Sequence, residues 1–161
     1  MSKIKIEDMI SNTLKGDSLK NALNLIIWAN ENKLNPAQSS VTTWKINSKA
    51  CVVCHFRFDF DAGTLHITPF LCEYEHDSLS DELKGIALAN KKRGMPCGER
   101  CHACSYKLKT IFGKKDDACA KSITFNNPNA EEIECIKALI KMRKNVLLNG
   151  VLMSTLPRNF G

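Results

Sequence analysis

The chain has 161 residues, 43% of them hydrophobic and 25% charged, a balance that fits one ordinary globular domain with a core large enough to fold without covalent staples. Its eight cysteines are therefore not needed to hold the fold, and the absence of any run of about 18 apolar residues excludes a membrane-spanning helix. Net charge is +6, from 23 basic and 17 acidic side chains, which points any charged partner towards anions.

The opening residues, Met1 to Ser11, carry acids and no apolar leader segment, so a cytoplasmic chain is expected. In a reducing compartment cysteines read as metal ligands, catalytic thiols or small core residues rather than as a disulfide framework.

Ile6, Met9, Ile10 and Leu14 recur at helical spacing as far as Gly16, predicting a helix over 5–15 that closes on a left-handed glycine. Asp17 is expected to cap a second helix, with Leu19, Ala22, Leu23, Ile26 and Ile27 on its buried stripe and Asn35-Pro36 as its end.

From 41 to 72 the period changes to two, which predicts an antiparallel meander. Trp44 and Ile46 mark its first strand. In the next, Val52, Cys54, Phe56, Phe58 and Phe60 form a core face and Cys51, Val53, His55, Arg57 and Asp59 the other. After a turn at Asp61-Ala62-Gly63, Leu65, Ile67 and Leu71 carry the core face of the returning strand.

Cys51-Val52-Val53-Cys54-His55 matches the pattern of covalent c-type haem attachment, and its first four residues match a redox or zinc CxxC. In an extended strand residues three apart point to opposite faces, so the pair does not chelate and Cys54 is expected in the core. A hairpin tip at Asp61-Ala62 opposes Arg57 to His66, His55 to Thr68 and Cys51 to Cys72, which gathers two thiols and two histidines on one polar surface as a second candidate ligand set. His66-Ile67-Thr68 resembles the HxT element that two-histidine phosphoesterases use twice, each histidine serving in acid-base work on a phosphodiester. Here His76-Asp77-Ser78 is the only approximate second copy.

A third helix is predicted from Ser80, with Asp81 and Glu82 in its first turn, Leu83, Ile86 and Ala87 on its buried side, and Lys91-Lys92-Arg93-Gly94 as its close. Met95-Pro96 then breaks the chain before Cys97-Gly98-Glu99-Arg100-Cys101-His102-Ala103-Cys104, three thiols in a glycine-containing loop that can turn them towards one point. The CxxxCxxC spacing resembles the signature with which radical S-adenosylmethionine enzymes hold a four-iron cluster. The likeness covers these eight residues, and Ala103 stands where those enzymes commonly have an aromatic side chain. An iron-sulfur or thiol-redox centre on the loop is thus the alternative to zinc, because three thiolates can hold a cluster with one open iron.

Zinc requires a fourth ligand to close a tetrahedron. Cys119 is the candidate: a strand over 106–112, a turn at Gly113-Lys114-Lys115 and one helical turn over 116–120 return it towards the loop, while His102 reads as a neighbour of the ligands. The predicted metal ligands are Cys97, Cys101, Cys104 and Cys119, in a structural zinc site. Residues 84–121 carry ten basic side chains against three acidic ones, a local charge of +7 that offsets the negative charge of four thiolates and offers an anionic ligand or nucleic acid a surface.

Ser122 to Asn126 reads as a strand and Asn127-Pro128 as the cap of a long helix to about Leu148, with glutamates at its start, Lys137, Lys141, Arg143 and Lys144 towards its end, and Gly150 as its stop. Ile133, Ile136, Ile140 and Leu147 form its buried stripe, with Cys135 beside it as packing. No Ser-His-Asp order, phosphate loop, HExxH or paired helical carboxylates is present, and Asp59, Asp61 and Glu73 read as turn and surface residues. The expectation is one α+β domain over 1–161, an antiparallel meander packed against N- and C-terminal helices, with a Cys-rich loop at 95–105 and a flexible tail at 151–161.

Overall fold

The computed structural model describes residues 3–71, 79–91, 107–112 and 114–154; for 107–110, 114–119 and 147–154 it describes the backbone. Among them are four helices and seven strands, which form the expected single α+β domain with helices at both ends of the chain. Helix α1 (Ile6–Thr13) buries Ile6, Met9 and Ile10 at helical spacing. Helix α2 (Gly16–Glu31) opens on Gly16, whose φ of +61° is the left-handed conformation expected there. Asp17 does not cap it; it lies inside the first turn, where its carboxylate suits the helix dipole. Ile27 is 56% exposed, and Leu25 and Ala29 take the buried positions instead.

The expected helix stop at Asn35-Pro36 is a strand, β1 (Asn35–Gln38), at the edge of an antiparallel sheet of order β1-β2-β3-β4-β7. Proline lacks an N–H for the ladder and is tolerated on such an edge. Strands β2 (Thr43–Ser48), β3 (Cys51–Asp59) and β4 (Thr64–Pro69) form the predicted meander, with Gly63 at φ +60° in the turn before β4. Asp59 Oδ1 accepts the Ala62 N–H there at 3.1 Å.

Trp44, Ile46, Cys54, Phe56, Phe58, Leu65 and Ile67 face the core. Helices α1 and α4 lie against β3 and β4, and α2 packs on both helices. Burying a side chain such as Phe56 contributes about 2–3 kcal/mol. Phe60, assigned to that face by alternation, lies in the turn, is 46% exposed and stacks on Phe58.

Helix α3 (Asp81–Ala89) starts as predicted, with Ser80 Oγ accepting the Leu83 N–H and Ala87 fully buried. Strands β5 (Lys107–Ile111) and β6 (Lys114–Cys119) form a separate antiparallel pair. The helical turn expected over 116–120 is therefore a strand, whose ladder takes up the consecutive aspartates Asp116 and Asp117 in a register shift opposite Lys109.

Strand β7 (Phe125–Asn126) joins β4, and helix α4 (Ala130–Ser154) completes the core. Its cap is Asn129, not Asn127-Pro128. Asn129 Oδ1 accepts the Glu132 N–H at 2.8 Å and Glu132 Oε1 accepts the Asn129 N–H at 3.1 Å, a reciprocal capping box. The helix passes through Gly150 to Ser154, so the first four positions of the expected tail are helical; a lone glycine penalises a helix by only about 1 kcal/mol.

Candidate functional site

The β5–β6 hairpin follows the Cys-rich loop directly. Its register opposes Lys107 to Cys119 and Leu108 to Ala118, so Cys119, the last residue of β6, stands across from the first residue of β5. Antiparallel partners have Cα atoms roughly 4.5–5.5 Å apart. Cys104 precedes Lys107 by three positions, and three residues of chain span at most about 11 Å. Connectivity and register together thus limit the Cα separation of Cys104 and Cys119 to at most about 16 Å. Cys97, Cys101 and Cys104, with His102, lie outside the described residues. So do Cys72, Glu73 and His76.

Of the first cysteine pair, one thiol is sealed in the core and the other is exposed. Cys54 is fully buried and its thiol is pushed well above its ordinary range by desolvation, so it stays protonated. Cys51 is exposed at the start of β3. The reason differs from simple alternation. The register passes from Ile46–Cys54 to Asn47–Val52, which leaves Val53 as an extra, bulged residue, and Val53 and Cys54 are both fully buried. Beyond the bulge the parity reverses, so Cys51 opposes Ser48 and Cys54 opposes Ile46, two residues on one side of β2. Cys135 is buried between α3 and α4, with its thiol donating to the Leu83 carbonyl at 3.4 Å and its pKa pushed up to about 11 by burial and then by Glu132.

The predicted hairpin pairs Arg57–His66 and His55–Thr68 are both present. They lie on the sheet face opposite the one that carries Phe56, Phe58, Leu65 and Ile67. Asn126 Oδ1 accepts from His66 Nδ1, and the hydroxyls of Thr68 and Thr124 are 2.9 Å apart. The His55 ring meets Phe70 edge-on at 4.9 Å. Desolvation, then the positive charges of Lys121 and Lys45, hold the His55 pKa down to about 4, so this imidazole is neutral. Lys121 and Arg143 both lie over the Phe70 ring, at 5.2 and 5.9 Å. The sequence reading did not select Lys45, yet its alternation with Trp44 and Ile46 already put it on the outer face, and the β2–β3 register sets it opposite His55. Phe70 and Arg143 approach each other from distant parts of the chain, and no sequence pattern signals that.

Among the described residues no group of three or more His, Cys, Asp or Glu side chains is placed to hold a metal. None of their helices is long and apolar enough to cross a membrane. The chain matches no protein-family model, no curated protein and no solved structure.

Proposed function

We propose that the protein is a small cytoplasmic metal-binding protein in which Cys97, Cys101, Cys104 and Cys119 hold one zinc ion in a closed, structural four-thiolate site. The observation that supports this reading most is the pairing of Lys107 with Cys119, which sets the fourth thiol-bearing residue opposite the third residue after Cys104. A strand pair is a firmer mount for a ligand than an isolated helical turn, because its ladder restricts where the last residue of β6 can be. Four thiolates around a divalent ion leave a net negative site, and the +7 charge of residues 84–121 lowers the penalty of gathering them. The same basic segment is the surface proposed to meet an anionic ligand or nucleic acid.

Metal binding then adds to the stability of the loop and hairpin, since the ligands are not assembled in the unfolded chain. Metal analysis of freshly purified protein tests the reading: one zinc per chain in a colourless preparation supports it. A coloured anaerobic preparation containing iron and sulfide would assign the loop to an iron-sulfur or redox centre instead.

A further inference from the structure

The outer face of the β-sheet carries a second group of polar residues, none of them in the cysteine loop. The ladder sets them in two adjacent rows. Lys45, His55 and Thr68 are successive cross-strand partners on β2, β3 and β4, with Thr124 bonded to Thr68; Thr43, Arg57, His66 and Asn126 form the next row. Neighbouring strands are about 4.8 Å apart and rows on one face about 6.8 Å apart, so Lys45, His55, Arg57 and His66 stand on a patch of about 10 by 7 Å, the size of a phosphate and its ester group.

Lys45, Arg57 and Asn126 are exposed, and His55, His66, Thr43 and Thr68 are half-buried, so the face is open and yet shaped. Among the described residues neither Lys45 nor Arg57 has a carboxylate within ion-pair distance. Among the described residues of these strands, the acid on this face is Asp59, two positions beyond Arg57 on β3, and its Oδ1 accepts the Ala62 N–H of the turn. His66 uses Nδ1 on Asn126, which leaves Nε2 as the nitrogen that can meet a ligand.

We propose that this face is a phosphate-binding site, in which Arg57 and Lys45 supply the charge, Thr68 Oγ1 donates a hydrogen bond to a phosphate oxygen and His66 Nε2 accepts one from the hydroxyl of the monoprotonated phosphate. Arginine suits the role because its guanidinium fork matches phosphate oxygens. His55 is held neutral by burial and by Lys121 and Lys45, so a bound anion, by offsetting those two charges, draws its pKa upward. Among the described residues, the charged and titratable groups around it are Lys45 from β2, Arg57 and Asp59 from β3, His66 from β4, Lys121 after β6 and, across the Phe70 ring, Arg143 from α4.

The test follows the histidine ring resonances of the full chain by NMR, at about 50 mM salt where phosphate contacts are strong. The probes are inorganic phosphate, uridine monophosphate and a short single-stranded oligouridylate. The site predicts saturable shifts of both the His55 and His66 rings and a rise in the His55 pKa with phosphate. The double variant Lys45→Ala/Arg57→Ala should bind roughly tenfold more weakly, within the range that two exposed charge contacts contribute. The charge-matched control Lys15→Ala/Lys20→Ala, on α1–α2, should stay within about twofold. Tighter binding of the oligonucleotide than of phosphate assigns the site to nucleic acid, and equal binding assigns it to small phosphate esters. Rings that do not respond, or a control that loses affinity as much as the double variant, would overturn the proposal.

Discussion

Lys107 and Cys119 face each other at the open end of the β5–β6 hairpin, so the last residue of β6 meets the first residue of β5, two positions beyond the cysteine loop. The proposed metal site depends on this pairing. Without the ladder, Cys119 would be fifteen positions from Cys104 with nothing to limit the distance between them.

Cys54 is a packing residue. Cys54→Ala is expected to lower stability by about 1 kcal/mol, the scale of removing one buried methyl-sized group, and to leave metal content unchanged. Alkylation of the native protein mapped by mass spectrometry should modify Cys51 and spare both Cys54 and Cys135, whose burial denies the reagent access and keeps each thiol protonated. Loss of metal in Cys54→Ala would contradict this assignment.

The start of α4 is held by the Asn129–Glu132 capping box. Asn129→Ala should destabilise the domain by about 1 kcal/mol in chemical denaturation, and Asn127→Ala should not act through the cap. Combining Asn129→Ala with Glu132→Ala should cost less than the sum of the single changes, because both remove one reciprocal pair. Full additivity would argue that the two residues act independently.

Acid should weaken the fold through His55. The native imidazole stays neutral down to about pH 4, whereas in the unfolded chain it takes a proton near its ordinary 6.5. Between those values the unfolded state binds more protons, so this residue makes stability fall as pH drops from 6.5 towards 4. His55→Gln should flatten that part of the profile; an unchanged slope would contradict a neutral native His55.

If the basic segment at 84–121 meets nucleic acid, affinity must fall steeply with salt, in proportion to the phosphates neutralised. Filter binding of single-stranded RNA and duplex DNA should show retention near 50 mM salt and its loss by about 200 mM. No retention at the lower salt would remove this partner.

The meander was legible because its signals are local. Alternation through Phe56, Phe58, Leu65 and Ile67 and a glycine-containing turn set the register that pairs Arg57 with His66. Strand β1 was not legible, since Asn35-Pro36 carries the signs of a helix stop and only its place at a sheet edge makes it a strand. The bulge at Val53 leaves no mark in an alternating pattern, because the skipped residue is as apolar as its neighbours. Cys119 was selected from its distance along the chain, and the elements that return it differ: a strand carrying a register shift replaces the expected helical turn, because cross-strand pairing with β5 outweighs the turn tendency of Asp116-Asp117.

Zinc stoichiometry of Cys119→Ser measured beside that of Cys101→Ser, with the unaltered protein as reference, tests the four-thiolate centre most directly. The account predicts one zinc per chain in the unaltered protein, the same large loss in both variants, and a lower melting temperature for each. Zinc retained by Cys119→Ser and lost by Cys101→Ser would contradict it, leaving an open three-cysteine site and moving the iron-sulfur or catalytic reading of the loop ahead of the structural one.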